Sequence, residues 1–234
     1  MSNISLTPGV LIFVFMSLSI SVLSLYVSRI FLPRKMKSAY LKSITVLAAA
    51  VETRDSGTVG HAQRVAQLTV AIARRLGMRG RILERIEYAA LLMDIGKANV
   101  PQAILNKKDP LTAEEWDMVK SHPAMGAEMV AAVPFLTDLE RYILHHHEYW
   151  DGSGYPEGLR GEDIPLPSRI LAVASDYDAM ISERPYHPVP MTREEALAEI
   201  KRHSGTKYAP DVAEAFVQMQ SERESSMKLP ASSL

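Results

Sequence analysis

Three consecutive imidazoles, His145, His146 and His147, are followed at once by Glu148 and three residues later by Asp151. Neutral imidazole is the commonest protein metal ligand, and two in adjacent positions suit a site for more than one ion better than a single tetrahedral ion. The histidines end an apolar run over residues 135–144 that reads as a helix. Beyond them, Gly152 and Gly154 admit positive φ and Pro156 fixes φ, so the loop can fold tightly over whatever the imidazoles hold. One histidine here would be an ordinary polar helix end, since histidine is favourable near a helix C-terminus. Further histidines and acids along the chain, His61, Asp94 and His122, weigh toward a site. With no cysteine in 234 residues, thiolate sites and disulfides are excluded. Imidazole and carboxylate then favour iron or manganese, with zinc the third choice, at a hydrolytic centre.

Each of these side chains sits at the edge of a periodic stretch. His61 opens a stripe of Val65, Leu68, Ile72 and Leu76, closed by Gly77, which aims an imidazole from a first helical turn. Ile82, Ile86, Ala89, Ala90 and Met93 form the next stripe, running into Asp94-Ile95-Gly96-Lys97. Asp94 and Lys97, three apart, can meet on one helical face, which an ordinary ion pair would also explain. Pro101 and residues 106–110 mark a loop; Thr112 with Glu115 reads as a capping box, opening a helix that reaches Lys120-Ser121-His122-Pro123. Residues 159–167 read as a loop and 168–180 as an apolar helix. Thr192 with Glu195 caps another, and the segment from Gly205 to Pro210 leads into a last helix ending near Gln220. With aromatics at 7% and Ala, Leu, Met and Glu plentiful, an almost all-α domain is expected. Gly154, Gly158 and Gly161 belong to the central loop, because no strand precedes them as a dinucleotide fold would require.

The run His146-His147-Glu148-x-x-Asp151-Gly152-x-Gly154-Tyr155-Pro156 resembles the signature loop of the HD-GYP family. These are bacterial metal-dependent phosphodiesterases, related to cyclic di-GMP hydrolases, within the HD superfamily of phosphohydrolases. The resemblance covers residues 51–219 and implies an all-α HD-type helical bundle. It implies His61, Asp94, His122, His146 and His147 as metal ligands, Asp94 and Lys97 as catalytic residues, and Gly154, Tyr155, Pro156 and Arg184 as substrate contacts. Two of the family's ligand positions are occupied differently. Met93 stands where the His-Asp pair has histidine, and Ser175 where a late aspartate is expected, with Asp176 next to it and Asp178 matching a second, structural aspartate. Thioether sulfur is a poor ligand for hard divalent ions, so one ion would keep only His61 and Asp94. The other would keep Asp94, His122 and the adjacent histidines. His145 or Asp176 is the expected substitute if the depleted side is rebuilt.

Residues 10–32 are apolar apart from serines 17, 19, 21, 24 and 28 and Arg29, and span about 34 Å as a helix at 1.5 Å per residue, enough to cross a bilayer. Such serines can bond back to their own helix. A cleaved signal peptide would have a basic start and a shorter apolar core. Here Arg29, Arg34, Lys35 and Lys37 all follow the run, so the positive-inside bias predicts a single-pass anchor in the inner membrane with the following domain in the cytoplasm. The expected organisation is an anchor with its basic flank over residues 1–37, the metal-dependent domain over 38–222 and a disordered tail over 223–234. A net charge of −1 gives no reason to expect nucleic acid as a partner. Two classes of function follow: a membrane-anchored phosphodiesterase acting on cyclic di-GMP or a related cyclic dinucleotide in signalling, or an impaired module that binds the nucleotide or a protein partner.

Overall fold

Apolar residues recurring every three or four positions make helices throughout, and the computed structural model contains no named strand among the residues it describes, 7–55, 60–183 and 189–228. The chain divides into two compact units, Met1–Ser43 and Ile44–Leu234.

In the first unit, α1 (Pro8–Tyr26) places proline in its first turn, where a missing N–H costs no hydrogen bond. A single wider turn, Val27–Phe31, leads into α2 (Leu32–Glu52). The helical stretch Pro8–Met36 buries nothing and is long and apolar enough, by length and composition, to cross a membrane. The hydroxyls of Ser21 and Ser28 donate back to the carbonyls of Ser17 (2.9 Å) and Leu25 (3.3 Å), the local bonding the sequence predicts.

The second unit begins within α2, whose Ile44 and Ala48 are buried. Helix α3 (His61–Arg75) starts from Gly60 at φ 77° and ends in a Schellman turn. Gly77, at φ 83°, donates to the Arg74 carbonyl (3.1 Å) and Met78 donates to that of Ala73 (2.9 Å). Helix α4 (Arg81–Leu92) packs on α3 through the predicted stripe, with Val65, Ile72, Ile86 and Ala89 wholly buried. Burying each large aliphatic side chain contributes about 1.5–3 kcal/mol. A tight turn over Ile95–Asn99 follows, then α5 (Gln102–Leu105), a short helix inside a stretch the sequence assigns to loop. Helix α6 (Ala113–Lys120) opens with the expected reciprocal cap: Glu115 N–H to Thr112 Oγ1 (3.3 Å) and Thr112 N–H to Glu115 Oε2 (2.8 Å). Ser121 alone separates it from α7 (His122–Ala131).

The run before the histidines is less helical than its apolarity predicts. Its first residues form a turn, with Leu136 N–H on the Val133 carbonyl (2.8 Å), a tight turn over Thr137–Leu139 follows, and only α8 (Glu140–Leu144) reaches His145. Helix α9 (Leu166–Ile181) crosses the core beside α3, and α10 (Arg193–Arg202) carries the second predicted capping box, Thr192 with Glu195. Helix α11 (Pro210–Lys228) continues past Gln220, where the sequence ends it: Gln220 is buried, and Arg75 of α3 holds Glu222 at 2.6 Å.

Candidate metal centre

Five of the side chains the sequence singles out converge at helix ends. His122 is the first residue of α7, and its Nδ1 sits 2.7 Å from the Val119 carbonyl. His146, just beyond α8, places Nδ1 2.6 Å from the Ile143 carbonyl. A carbonyl can only accept, so both Nδ1 atoms carry the proton and both Nε2 atoms are left with lone pairs directed inward. Those Nε2 atoms lie 3.4 Å apart. His147 completes the group: one ring nitrogen from each of the three imidazoles falls within 4.8 Å of the others. Its ring stacks on Tyr155 with centroids 4.9 Å apart, so the Gly-Tyr-Pro loop covers the histidine it follows.

Burial pushes the His146 imidazole down to about 4, with His122 adding to the effect. Burial, His146 and His122 together push His147 well below the ordinary histidine range. Both are neutral at neutral pH. Ring nitrogens that face one another with their lone pairs inward form a donor set that a divalent cation satisfies, and the residues present fit one.

Asp94 joins this group to His61. Its Oδ1 is 3.2 Å from His122 Nε2, and its Oδ2 is 3.8 Å from His61 Nε2 and 3.2 Å from Lys97 Nζ. Burial alone would raise this carboxyl, yet the Lys97 ammonium beside it holds it well below the usual carboxylate range. Lys97 bonds a second carboxylate, Asp55, at 3.2 Å, and the two acids overcome burial to raise its pKa, so the ammonium stays charged. The sequence places Asp94 and Lys97 on one face, and they meet there, in the tight turn after α4 rather than within it.

His61 is oriented by Asp178, whose Oδ2 lies 2.7 Å from His61 Nδ1 while Arg64 grips the same carboxylate through Nε (2.7 Å) and Nη2 (2.9 Å). A carboxylate behind a histidine fixes which nitrogen faces inward and raises its basicity. The remaining positions of that side are not ligands. Met93 is 1% exposed, in the core stripe. Ser175 lies one turn before Asp178 on α9. Asp176 does not replace it, because it is engaged by Lys207 (2.8 Å) and Tyr208 (3.0 Å). Nor does His145 join the cluster: it is buried with Nδ1 3.6 Å from Glu148.

Several residues hold this geometry: Glu148, Gly96 and Glu52, to which the sequence gives no role, and Gly154, which it assigns to the substrate. Glu148 accepts from Glu157 N–H (2.8 Å) and Leu159 N–H (3.1 Å), pinning the signature loop from inside. Gly154 packs against the backbone of residues 147–149, where a Cβ would fall on the His147 carbonyl and the Tyr149 nitrogen; the Tyr155–Pro156 bond is cis. Gly96 lies so close to α7 that a Cβ would meet the His122 carbonyl. Glu52 accepts from Gly60 N–H (2.8 Å) and from Ala62 N–H, capping the turn that presents His61. Only the glycine spacing and the acids flanking each motif could have signalled these roles. Arg184 lies outside the described residues. His122, His147, Tyr155 and Lys97 open onto a cleft of about 580 Å³.

Residues 45–212 match the family model described as HD domain. The chain belongs to the HD-domain family. Its signature loop makes it one of the HD-GYP type. It is 42% identical over 182 residues to a cyclic di-GMP phosphodiesterase of Thermotoga maritima, covering 76% of this chain and 49% of that protein. A cyclic di-GMP phosphodiesterase response regulator of Xanthomonas campestris is 38% identical, over 75% of this chain and 47% of its own. The chain thus spans about half the length of these curated relatives. A cyclic GMP-AMP specific phosphodiesterase of Vibrio cholerae shares the fold, with a TM-score of 0.60 at 21% identity over 80% of this chain and 50% of that one.

Proposed function

We propose that this HD-GYP protein is a membrane-anchored phosphodiesterase that hydrolyses a cyclic dinucleotide, cyclic di-GMP before others, in a signalling role. The observation that carries the reading is the convergence of His122, His146 and His147 on Asp94 and Lys97 at the mouth of a nucleotide-sized cleft. The relatives' activity on cyclic di-GMP gives the substrate class. His122, His146, His147 and Asp94 would hold one divalent ion, iron or manganese before zinc, and His61 with Asp94 a second. When bound, such ions supply Lewis acidity and a water of lowered pKa.

The protein's own groups do the rest. Asp94, kept ionised by Lys97, stands between the two histidine groups and belongs to both. Lys97 keeps a fixed positive charge at the cleft, suited to a phosphoryl oxygen, while Asp55 holds its ammonium in place. Tyr155 and the pinned Gly154-Tyr155-Pro156 loop wall the site, and burial keeps the Tyr155 phenol protonated, available as a donor. Arg184 is assigned a substrate phosphate through its forked donors. Residues 10–32 anchor the chain, with Arg29, Arg34, Lys35 and Lys37 on the cytoplasmic side.

Met93 and Ser175 favour a second reading, a nucleotide-binding or protein-interaction module whose centre no longer turns over. The deciding experiment measures metal per chain and cyclic di-GMP hydrolysis on the detergent-purified protein. Turnover that disappears in His122→Ala supports the enzyme; tight cyclic di-GMP binding with no turnover in the metal-loaded chain establishes the module instead. Protease protection on vesicles tests the topology, and a carboxy terminus outside the cytoplasm would overturn it.

A further inference from the structure

The cleft that starts at the histidines does not end with them. Its far end is formed by residues between α5 and α6 and by α6 itself: Lys107, Lys108, Asp109 and Trp116 line the same 580 Å³ space as His122 and His147. None of these four is among the residues that carry the family resemblance, and two of them, Trp116 and Lys108, have a chemistry that a dinucleotide needs.

Trp116 is 48% exposed although it lines a cleft, and its indole has no hydrogen bond or ring contact among the described residues. It stands six residues before His122, on the helix that leads into α7 through Ser121 alone. An aromatic face open to a polar cleft is a platform for a base, since every base presents a π-face. Lys107 is held by Glu115 at 2.6 Å, the same carboxylate that caps α6, so its charge is already spoken for. Lys108 is exposed and has no partner among the described residues. Asp109 follows it and would repel a phosphate, so anion binding at this end depends on Lys108.

We infer that Trp116 and Lys108 form a distal subsite of the cleft, Trp116 stacking one base of a cyclic dinucleotide and Lys108 contacting the phosphate that is not at the histidines. This rests on the function proposed above and extends it to the half of the substrate remote from the reaction.

The test uses the full chain in detergent micelles and the anisotropy of fluorescently labelled cyclic di-GMP, which reads binding with or without turnover. Trp116→Ala should weaken binding about tenfold or more, and Trp116→Phe should restore it to within about threefold, because a stacking face is what matters. Lys108→Ala should weaken binding about tenfold and lower the slope of log Kd against log salt by about one, the signature of a lost phosphate contact. Unlabelled cyclic di-GMP should quench the tryptophan fluorescence of the parent, which has two tryptophans, and should not quench that of Trp116→Phe. Parent-like binding by both alanine variants overturns the subsite and leaves the proposed function standing. So does a Trp116→Phe variant as weak as Trp116→Ala, or loss of binding that only parallels a lowered melting temperature. A parent that hydrolyses bis(p-nitrophenyl) phosphate but does not bind cyclic di-GMP defeats the functional reading itself, and the subsite falls with it.

Discussion

The two sides of the centre are built to different standards. On one, His122 and His146 are aimed by backbone carbonyls and, with His147 stacked on Tyr155, gather three ring nitrogens within 4.8 Å of one another. On the other, His61 is as firmly held, by Asp178 and through it Arg64, but it faces only Asp94, at 3.8 Å. Met93 lies in the core and Ser175 supplies no carboxylate. The support behind His61 is intact although Met93 and Ser175 stand where the family pattern has ligands. On the proposed reading, orientation and ligation are separable properties of a site.

The sharpest way to test that contrast is to rebuild the poorer side. Met93→His with Ser175→Asp should add a second equivalent of metal and raise cyclic di-GMP turnover by several orders of magnitude, since each 1.4 kcal/mol of charge stabilisation is about tenfold. Either change alone gives that ion three protein ligands, so the pair should exceed the sum of the singles. Metal content and turnover of the four proteins decide it; a parent that already carries two ions and matches the double variant abolishes the contrast.

A second expectation concerns the richer side. His122→Ala should lower metal affinity by about a hundredfold or more and His61→Ala far less, at the upper end of what altering a ligand's surroundings costs. Equal losses in the two variants, read as metal retained after dialysis, would mean that both sides bind alike. The third probes the retained support: in the Met93→His, Ser175→Asp background, Asp178→Asn should weaken the rebuilt ion about 10- to 100-fold by releasing His61. No change in that ion's affinity would remove Asp178 from the account. The smallest effect is on stability. Gly154→Ala should cost about 1–3 kcal/mol in thermal melting, because a Cβ there meets backbone that cannot move aside.

The helices around the centre were legible because their apolar periodicity and caps are local: Val65 and Ile72, Ile86 and Ala89, Thr112 with Glu115 and Thr192 with Glu195 all do what their spacing predicts. The grouping of His61, Asp94, His122, His146 and His147 was legible only through the resemblance, since nothing local says that residues 61 and 146 share a pocket. What escaped the sequence depends on long-range partners. The resemblance marks Asp178 as structural without its partners, which are His61 and Arg64, and Asp176, its near neighbour, turns instead to Lys207 and Tyr208. The apolar run before the histidines misled because apolarity alone does not register the successive tight turns, Leu136 N–H to Val133 and Leu139 N–H to Leu136, that take up its first half. Gly96 shows the same limit: its need for close approach to α7 exists only once the fold is formed.

The carbonyls of Val119 and Ile143 deserve a last thought in terms of assembly order. They choose the tautomer and direction of His122 and His146 from within each histidine's own turn, using bonds that need no ion. In the proposed centre, the cost of orienting these two rings would be met by the chain's own hydrogen bonds before an ion arrives, which would set such a site apart from small modules whose ligands the metal itself gathers.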